Sequence, residues 1–279
     1  MKISLSFIIL VSGFLAFPAF SQDKFLKGAV YNEEGKLLPW VNIGIRNKDV
    51  GTVSAEDGTF ALRLAASLYQ DTLKFSAVGY HELRIAVKDL DPQHYRKVLL
   101  HRRINQLKEV VITNKKPRIN IVGIDSYTPQ MWVGLSLKEE NSYAEIAQLI
   151  PISSTARLLS VNVETAGFKG AKDSVSFRLN IYKSENGLPG ERLIEKNMLR
   201  SFSKDSGMLR FDLRSEDVFL EEDCVVSIEY LAKERNKKLR LLSFRANRMG
   251  KGGFSRIASI GKWIPMGSGS AAIFAEVEQ

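Results

Sequence analysis

Apolar residues recur at every second position in short runs, and each run stops at a cluster of turn-forming residues. Val41, Ile43 and Ile45 alternate with Asn42, Gly44 and Arg46. Phe60, Leu62 and Leu64 follow, then Leu73, Phe75 and Ala77, then Leu83, Ile85 and Val87. The breaks read "NEEGK", "EDG", "VGY" and "DLDP". Successive side chains of a strand point to opposite faces, so this rhythm predicts half-buried strands. Many short strands with frequent turns predict a sandwich or a barrel. The rhythm returns after Thr155. Leu159, Val161 and Val163 form one face, and Val175, Phe177, Leu179 and Ile181 another, with Ser176, Arg178, Asn180 and Tyr182 opposite. Leu209, Phe211 and Leu213, then Leu242, Phe244 and Ala246, then Ile273, Ala275 and Val277 complete a second antiparallel sandwich. "SYAEIAQLI" reads equally as a helix or as a strand.

The best boundary is the charged break Lys115-Lys116-Pro117-Arg118. The 279 residues then divide into a leader at 1–21, a first sandwich at 22–113, a linker and lead-in at 114–142, and a second sandwich at 143–279. The leader is read from Lys2, the apolar run from Ile3 to about Phe17, and the small residues Ala19 and Ser21 before Gln22. That is the pattern of a cleaved secretory signal peptide. The apolar run is short for a membrane-spanning helix, and Pro18 ends it. Cys224 is the only cysteine, so an exported chain would be held by packing rather than by disulfides. It shares a strand face with Val226, Ile228 and Tyr230, which predicts a buried, inert thiol.

The search for reactive chemistry returns little. His81, His94 and His101 are the only histidines, and none has the paired spacing of a zinc helix. A nucleophile elbow and a phosphate-binding loop are both missing from the sequence. Glu56 and Asp57 read as a turn, since a calcium site needs six or more oxygens. Glu221-Glu222-Asp223 reads as a solvated turn. Neither a metal nor a cofactor is expected.

The stretch "LKGAVYNEEGKLLPWVNIGIRNKDVGTVSAEDGTFALRL", followed by "LKFSAVGYHELRIAV", resembles the carboxypeptidase-like regulatory domain. Gly28, Gly35 with Leu38-Pro39, Gly51-Thr52, Asp57-Gly58 with Phe60, and Gly79-Tyr80 carry the likeness. Ala55 departs from it. The resemblance implies a transthyretin-like sandwich of seven strands, a non-catalytic appendage in carboxypeptidases. "LKEVVIT" at 107–113 is similar to the segment that follows this module in Bacteroidota outer-membrane and periplasmic proteins. With only about half the chain remaining after it, a receptor barrel is not expected. "VSFRLNIYKSENGLPGERLI" resembles, less specifically, the jelly-roll-like half of secreted Bacteroidota proteins.

The expectation is an all-β protein of two sandwiches, exported to the periplasm or outer membrane. It would be a non-enzymatic binding or scaffolding protein with a glycan or an envelope protein as partner. The alternative is a glycan hydrolase with acidic residues on loops of the C-terminal sandwich. Net charge is +9, which suits anionic surroundings; the leader makes nucleic acid an unsuitable partner. The candidate anionic-ligand surface, which could also meet a membrane, is Lys237, Lys238, Arg240, Arg245, Arg248, Lys251 and Arg256. The competing reading is that these cations blunt edge strands. Trp263 is expected in the core.

Overall fold

A computed structural model describes residues 23–91, 94, 96–103, 118–137, 143–168, 170–194, 196–232, 239, 241–267 and 269–279. The leader, "LKEVVIT", Lys237, Lys238 and Arg240 lie outside the described residues. Among the described residues there is no α-helix, only single 3-10 turns at Ala66–Leu68 and Val87–Asp89.

Among the described residues the first body holds seven strands: β1 (Lys24–Tyr31), β2 (Asn42–Ile45), β3 (Gly51–Val53), β4 (Thr59–Leu64), β5 (Thr72–Ser76), β6 (Leu83–Ala86) and β7 (Arg96–Leu99). They form a three-stranded sheet in the order β4-β1-β7 and a four-stranded sheet in the order β3-β2-β5-β6. Leu26, Val30, Ile43, Phe60, Leu62, Leu73, Phe75 and Val98 fill the space between them. These are the alternating apolar positions, so the period of the sequence is the period of burial. The "EDG" corner before β4 is a turn. Thr59 donates its backbone N–H (2.9 Å) and its hydroxyl (2.7 Å) to Asp57 Oδ1, and Gly58 takes φ +73°, a conformation glycine adopts without cost.

The second body starts earlier than its sequence rhythm suggests. The stretch read as linker carries β8 (Ile119–Gly123) and β9 (Trp132–Ser136). β8 pairs with the last strand of the chain, and β9 pairs with a late one. "SYAEIAQLI" resolves as strand, with β10 at Glu145–Ile150. Then follow β11 (Ala156–Glu164), β12 (Ser174–Glu185), β13 (Leu188–Arg192), β14 (Met198–Ser203) and β15 (Met208–Asp212). β16 (Phe219–Leu220), β17 (Cys224–Leu231), β18 (Leu241–Asn247) and β19 (Gly253–Arg256) come next. β20 (Ile264–Pro265), β21 (Ser270–Ala271) and β22 (Ile273–Glu278) complete the set.

One sheet runs β13-β12-β17-β10-β19-β20, with β14 also on β12. Opposite it lie β15-β11-β22-β8 and β21-β18-β9. Between the layers Phe177 meets Phe168, Phe202, Tyr230 and Phe244 at ring-centroid distances of 5.5 to 6.5 Å, the range of favourable edge and tilted contacts. The predicted face of β11 is corrected in one respect. A register shift between Leu158 and Ser160 changes the phase, so Leu158, rather than Leu159, joins Val161 and Val163 in the core. An extra residue in one strand does this to the in-out alternation.

Candidate functional site: an ionic interface between the two bodies

The outer face of the large C-terminal sheet carries polar and charged side chains. Its residues include Arg178 and Asn180 on β12, Ser227 and Glu229 on β17, Glu145 on β10 and Arg256 on β19. All six are buried, and the Glu145 and Glu229 carboxylates are 0% exposed. What covers part of this face is the first body, through Trp40 and Asn42 at the start of β2.

Arg178 is the hinge of the arrangement. Its Nε donates to Glu229 Oε2 and its Nη2 to Glu229 Oε1, both at 2.8 Å. This two-pronged geometry is the strong form of the arginine–carboxylate pair. Its other donors cross to the first body: Nη1 reaches Trp40 O at 2.8 Å and Nη2 reaches Asn42 Oδ1 at 2.7 Å. Trp40 presents that carbonyl from a left-handed backbone, φ 61°, which costs a non-glycine residue about 1–2 kcal/mol. Asn42 returns its own amide to Glu229 Oε1 at 2.8 Å and to Ser259 Oγ at 2.9 Å.

Glu145 is the second centre. Its Oε1 accepts from Asn180 Nδ2 (3.0 Å), Tyr182 OH (2.9 Å) and the Ser227 hydroxyl. Its Oε2 accepts from Tyr143 OH and Arg256 Nε, each at 2.6 Å. The Arg256 guanidinium also lies 4.3 Å from the centre of the Trp263 ring, a cation–π contact. Burial by itself pushes the Glu145 carboxyl up. The Arg256 charge and the hydrogen bonds from Ser227, Tyr143 and Arg256 outweigh that and hold it at about 2. Tyr182 is raised to about 12, first by burial and then by the Glu145 charge. Each carboxylate thus has a paired guanidinium, the condition under which buried charge is tolerated, and Arg192, 6.0 Å from the centre of the Tyr182 ring, adds a third guanidinium beside them.

The two bodies meet closely at a second place. A Cβ on Gly44 would lie 2.1 Å from the Ser259 carbonyl oxygen, and one on Gly51 would lie 2.2 Å from it. Gly44 and Gly51 are directly paired across β2 and β3. Asn47 N also donates to Ile260 O at 3.3 Å. The glycines let the β2–β3 hairpin press its backbone against the loop after β19.

This geometry bears on hydrolysis. Asn180 Nδ2 sits 3.0 Å from an oxygen of each carboxylate, so Glu145 and Glu229 are as near to each other as a glycosidase pair. A glycosidase pair must reach sugar and water, and one member must carry a proton. Glu229 is sealed under Asn42 of the first body, Glu145 is fully buried beside it, and Glu145 stays ionised far below neutral pH.

Of the seven proposed surface cations, Arg245, Arg248, Lys251 and Arg256 lie among the described residues. Arg256 is corrected: it turns inward, 9% exposed, and pairs with Glu145. Its alternation on β19 puts it on the covered face, where an unpaired carboxylate would be untenable. Arg245 is half-buried with its guanidinium 4.6 Å from the Tyr127 ring centre. Arg248 and Lys251 are exposed. Trp263 packs with Tyr182 and Phe254 on the outer face of the sheet, not in the inter-sheet core. Cys224 is buried, and burial followed by the Asp223 charge raises its thiol to about 12. His94 and His101 are exposed beside Asp91 and Glu33. Among the described residues no group of three or more histidine, cysteine or acidic side chains could hold a metal ion.

The buried network escaped the sequence reading because an alternating polar face ordinarily means water. The available signal was on β17. Val225 and Leu231 share the outer face with Ser227 and Glu229, and so much apolar surface on a nominally wet side implies a cover.

Residues 26–112 match the family model of the CarboxypepD_reg-like domain. No curated protein matches the chain. Among solved structures, the cysteine protease and lectin-like domains of Cwp84, a surface-layer-associated protein of Clostridium difficile, align with 10% identity over 86% of this chain and 59% of that one, TM-score 0.42. A structure of infectious bursal disease virus, Gt strain, aligns with 10% identity over 92% and 62%, TM-score 0.27. The chain therefore spans about three-fifths of these solved chains.

Proposed function

We propose that this protein is an exported, non-enzymatic binding or scaffolding component of a bacterial cell envelope. The observation that carries this reading is the use made of Glu145 and Glu229. Glu229 is bound into the joint between the sandwiches through Arg178 and Asn42, and Glu145 is bound to Asn180 and Arg256 on the same buried face. The joint fixes two rigid bodies side by side, which is what a scaffold needs and what a reacting carboxylate pair cannot allow. A regulatory-type N-terminal domain and a net charge of +9 point the same way, toward anionic or protein partners at a surface. The leader-like start of the sequence supports export.

The test is to express the full chain, fractionate the cells, and cross-link the protein in place. The reading expects it in the envelope fraction, bound in fixed ratio to one protein or one glycan, with no new reducing ends released from envelope polysaccharide. Release of reducing ends by the wild-type chain would establish the hydrolase alternative instead.

A further inference from the structure

Among the described residues, the three-stranded sheet β21-β18-β9 ends at β9. Ala246 N donates to Met131 O at 3.2 Å, and Trp132 lies opposite Arg245, Gly134 opposite Ser243, and Ser136 opposite Leu241. That bond sets the phase of the ladder. The three pairs are of the non-hydrogen-bonded kind, so the N–H and C=O of Trp132, Gly134 and Ser136 point away from β18. Natural edges are usually blunted by lysine, proline or a bulge. "Trp-Val-Gly-Leu-Ser" has none of these.

The face beside this edge has the composition of an interface centre. Trp132 is 54% and Tyr127 40% exposed, and Arg245 lies against Tyr127. The Trp132 ring reaches over Gly134, where a Cβ would come within 2.9 Å of it, and Leu241 leans in from the other side. Tryptophan, tyrosine and arginine dominate binding energy at protein contacts. Among the described residues no carboxylate pairs with Arg245 or Arg248. Another uncharged edge, β8, is different. Ile119 and Ile121 lie opposite Glu278 and Glu276 of β22, which would repel an acidic strand.

We infer that β9 accepts an extended acidic segment of a partner protein as an added strand, with Arg245 and Arg248 attracting its carboxylates. This inference rests on the binding reading above and assigns it a place and a partner chemistry. Main-chain bonds to Trp132, Gly134 and Ser136 would supply affinity, and alternate side chains of the partner would lie beside Trp132.

The probe is a fluorescent ten-residue peptide of alternating valine and threonine with two glutamates at one end, followed by anisotropy on the full chain. Three results are expected. Ser136→Pro, which removes an outward N–H without touching the β18 ladder, weakens binding at least tenfold. The double variant Arg245→Gln with Arg248→Gln weakens it several-fold and flattens its salt dependence. Ile121→Lys on β8 leaves it unchanged. Methylating alternate peptide nitrogens abolishes binding to the wild-type chain, a test that needs no variant to fold. Equal binding of the methylated peptide, or loss in Ile121→Lys, overturns the inference. So does retention of polygalacturonate, but not of the peptide, with loss in Trp132→Ala; that outcome spares the binding reading, whereas hydrolysis of envelope glycan removes the reading itself.

Discussion

At the scale of the residue, the decisive pair is Arg178 with Glu229. Removing one member of a buried pair strands the other charge, at a cost of about 3–5 kcal/mol. Glu229→Gln is therefore expected to lower unfolding free energy in urea by that amount. Arg178→Met with Glu229→Leu, which removes both charges, should recover much of it. Glu145 gives a pH signature. Its carboxyl sits at about 2 in the folded protein against an ordinary 4.5. A depressed value means the folded state favours the ionised form, so this stabilisation is complete above about pH 4.5 and fades as pH falls toward 2. The urea midpoint should drop steeply across that window, and Glu145→Gln should remove the steep part while lowering the plateau at neutral pH. Cys224 belongs here too. With its thiol buried and raised to about 12, maleimide should label the native protein hardly at all and label it fully in denaturant.

At the scale of the element, the β2–β3 hairpin is the tightest fit. Gly44→Ala or Gly51→Ala would drive a methyl group into the Ser259 carbonyl, and backbone cannot yield as a flexible side chain can. Overpacking of this kind costs about 1–3 kcal/mol. Gly207→Ala, where a Cβ meets nothing within 4 Å, is the control and should change the melting temperature little. Strands were the most legible part of the sequence. Phe75, Phe177 and Ile273 announce their faces by period alone, and "EDG" announces its corner. Leu159 misled because a one-residue bulge leaves no mark in a pattern of apolar letters. β8 and β9 were hidden because exposed Ile119, Ile121 and Trp132 look like neither a core strand nor a loop.

At the scale of the whole molecule, the two sandwiches could be read from the sequence but their joint could not. Arg178 is 136 residues from Asn42 and 138 from Trp40, and no local pattern encodes a partner at that distance. Arg256 was grouped with the surface cations because composition counts charge without seeing what faces it. The joint also changes what the molecule can do. It converts two modules into one body whose most chemical side chains are internal. On the binding reading, the work of the protein falls to its outer faces and edges. The direct test is differential scanning calorimetry of the wild-type chain and of Glu229→Gln. A single wild-type transition is predicted, with calorimetric and van't Hoff enthalpies equal, splitting in the variant as the first sandwich comes free. Two resolved transitions in the wild type, unchanged by the substitution, would contradict it.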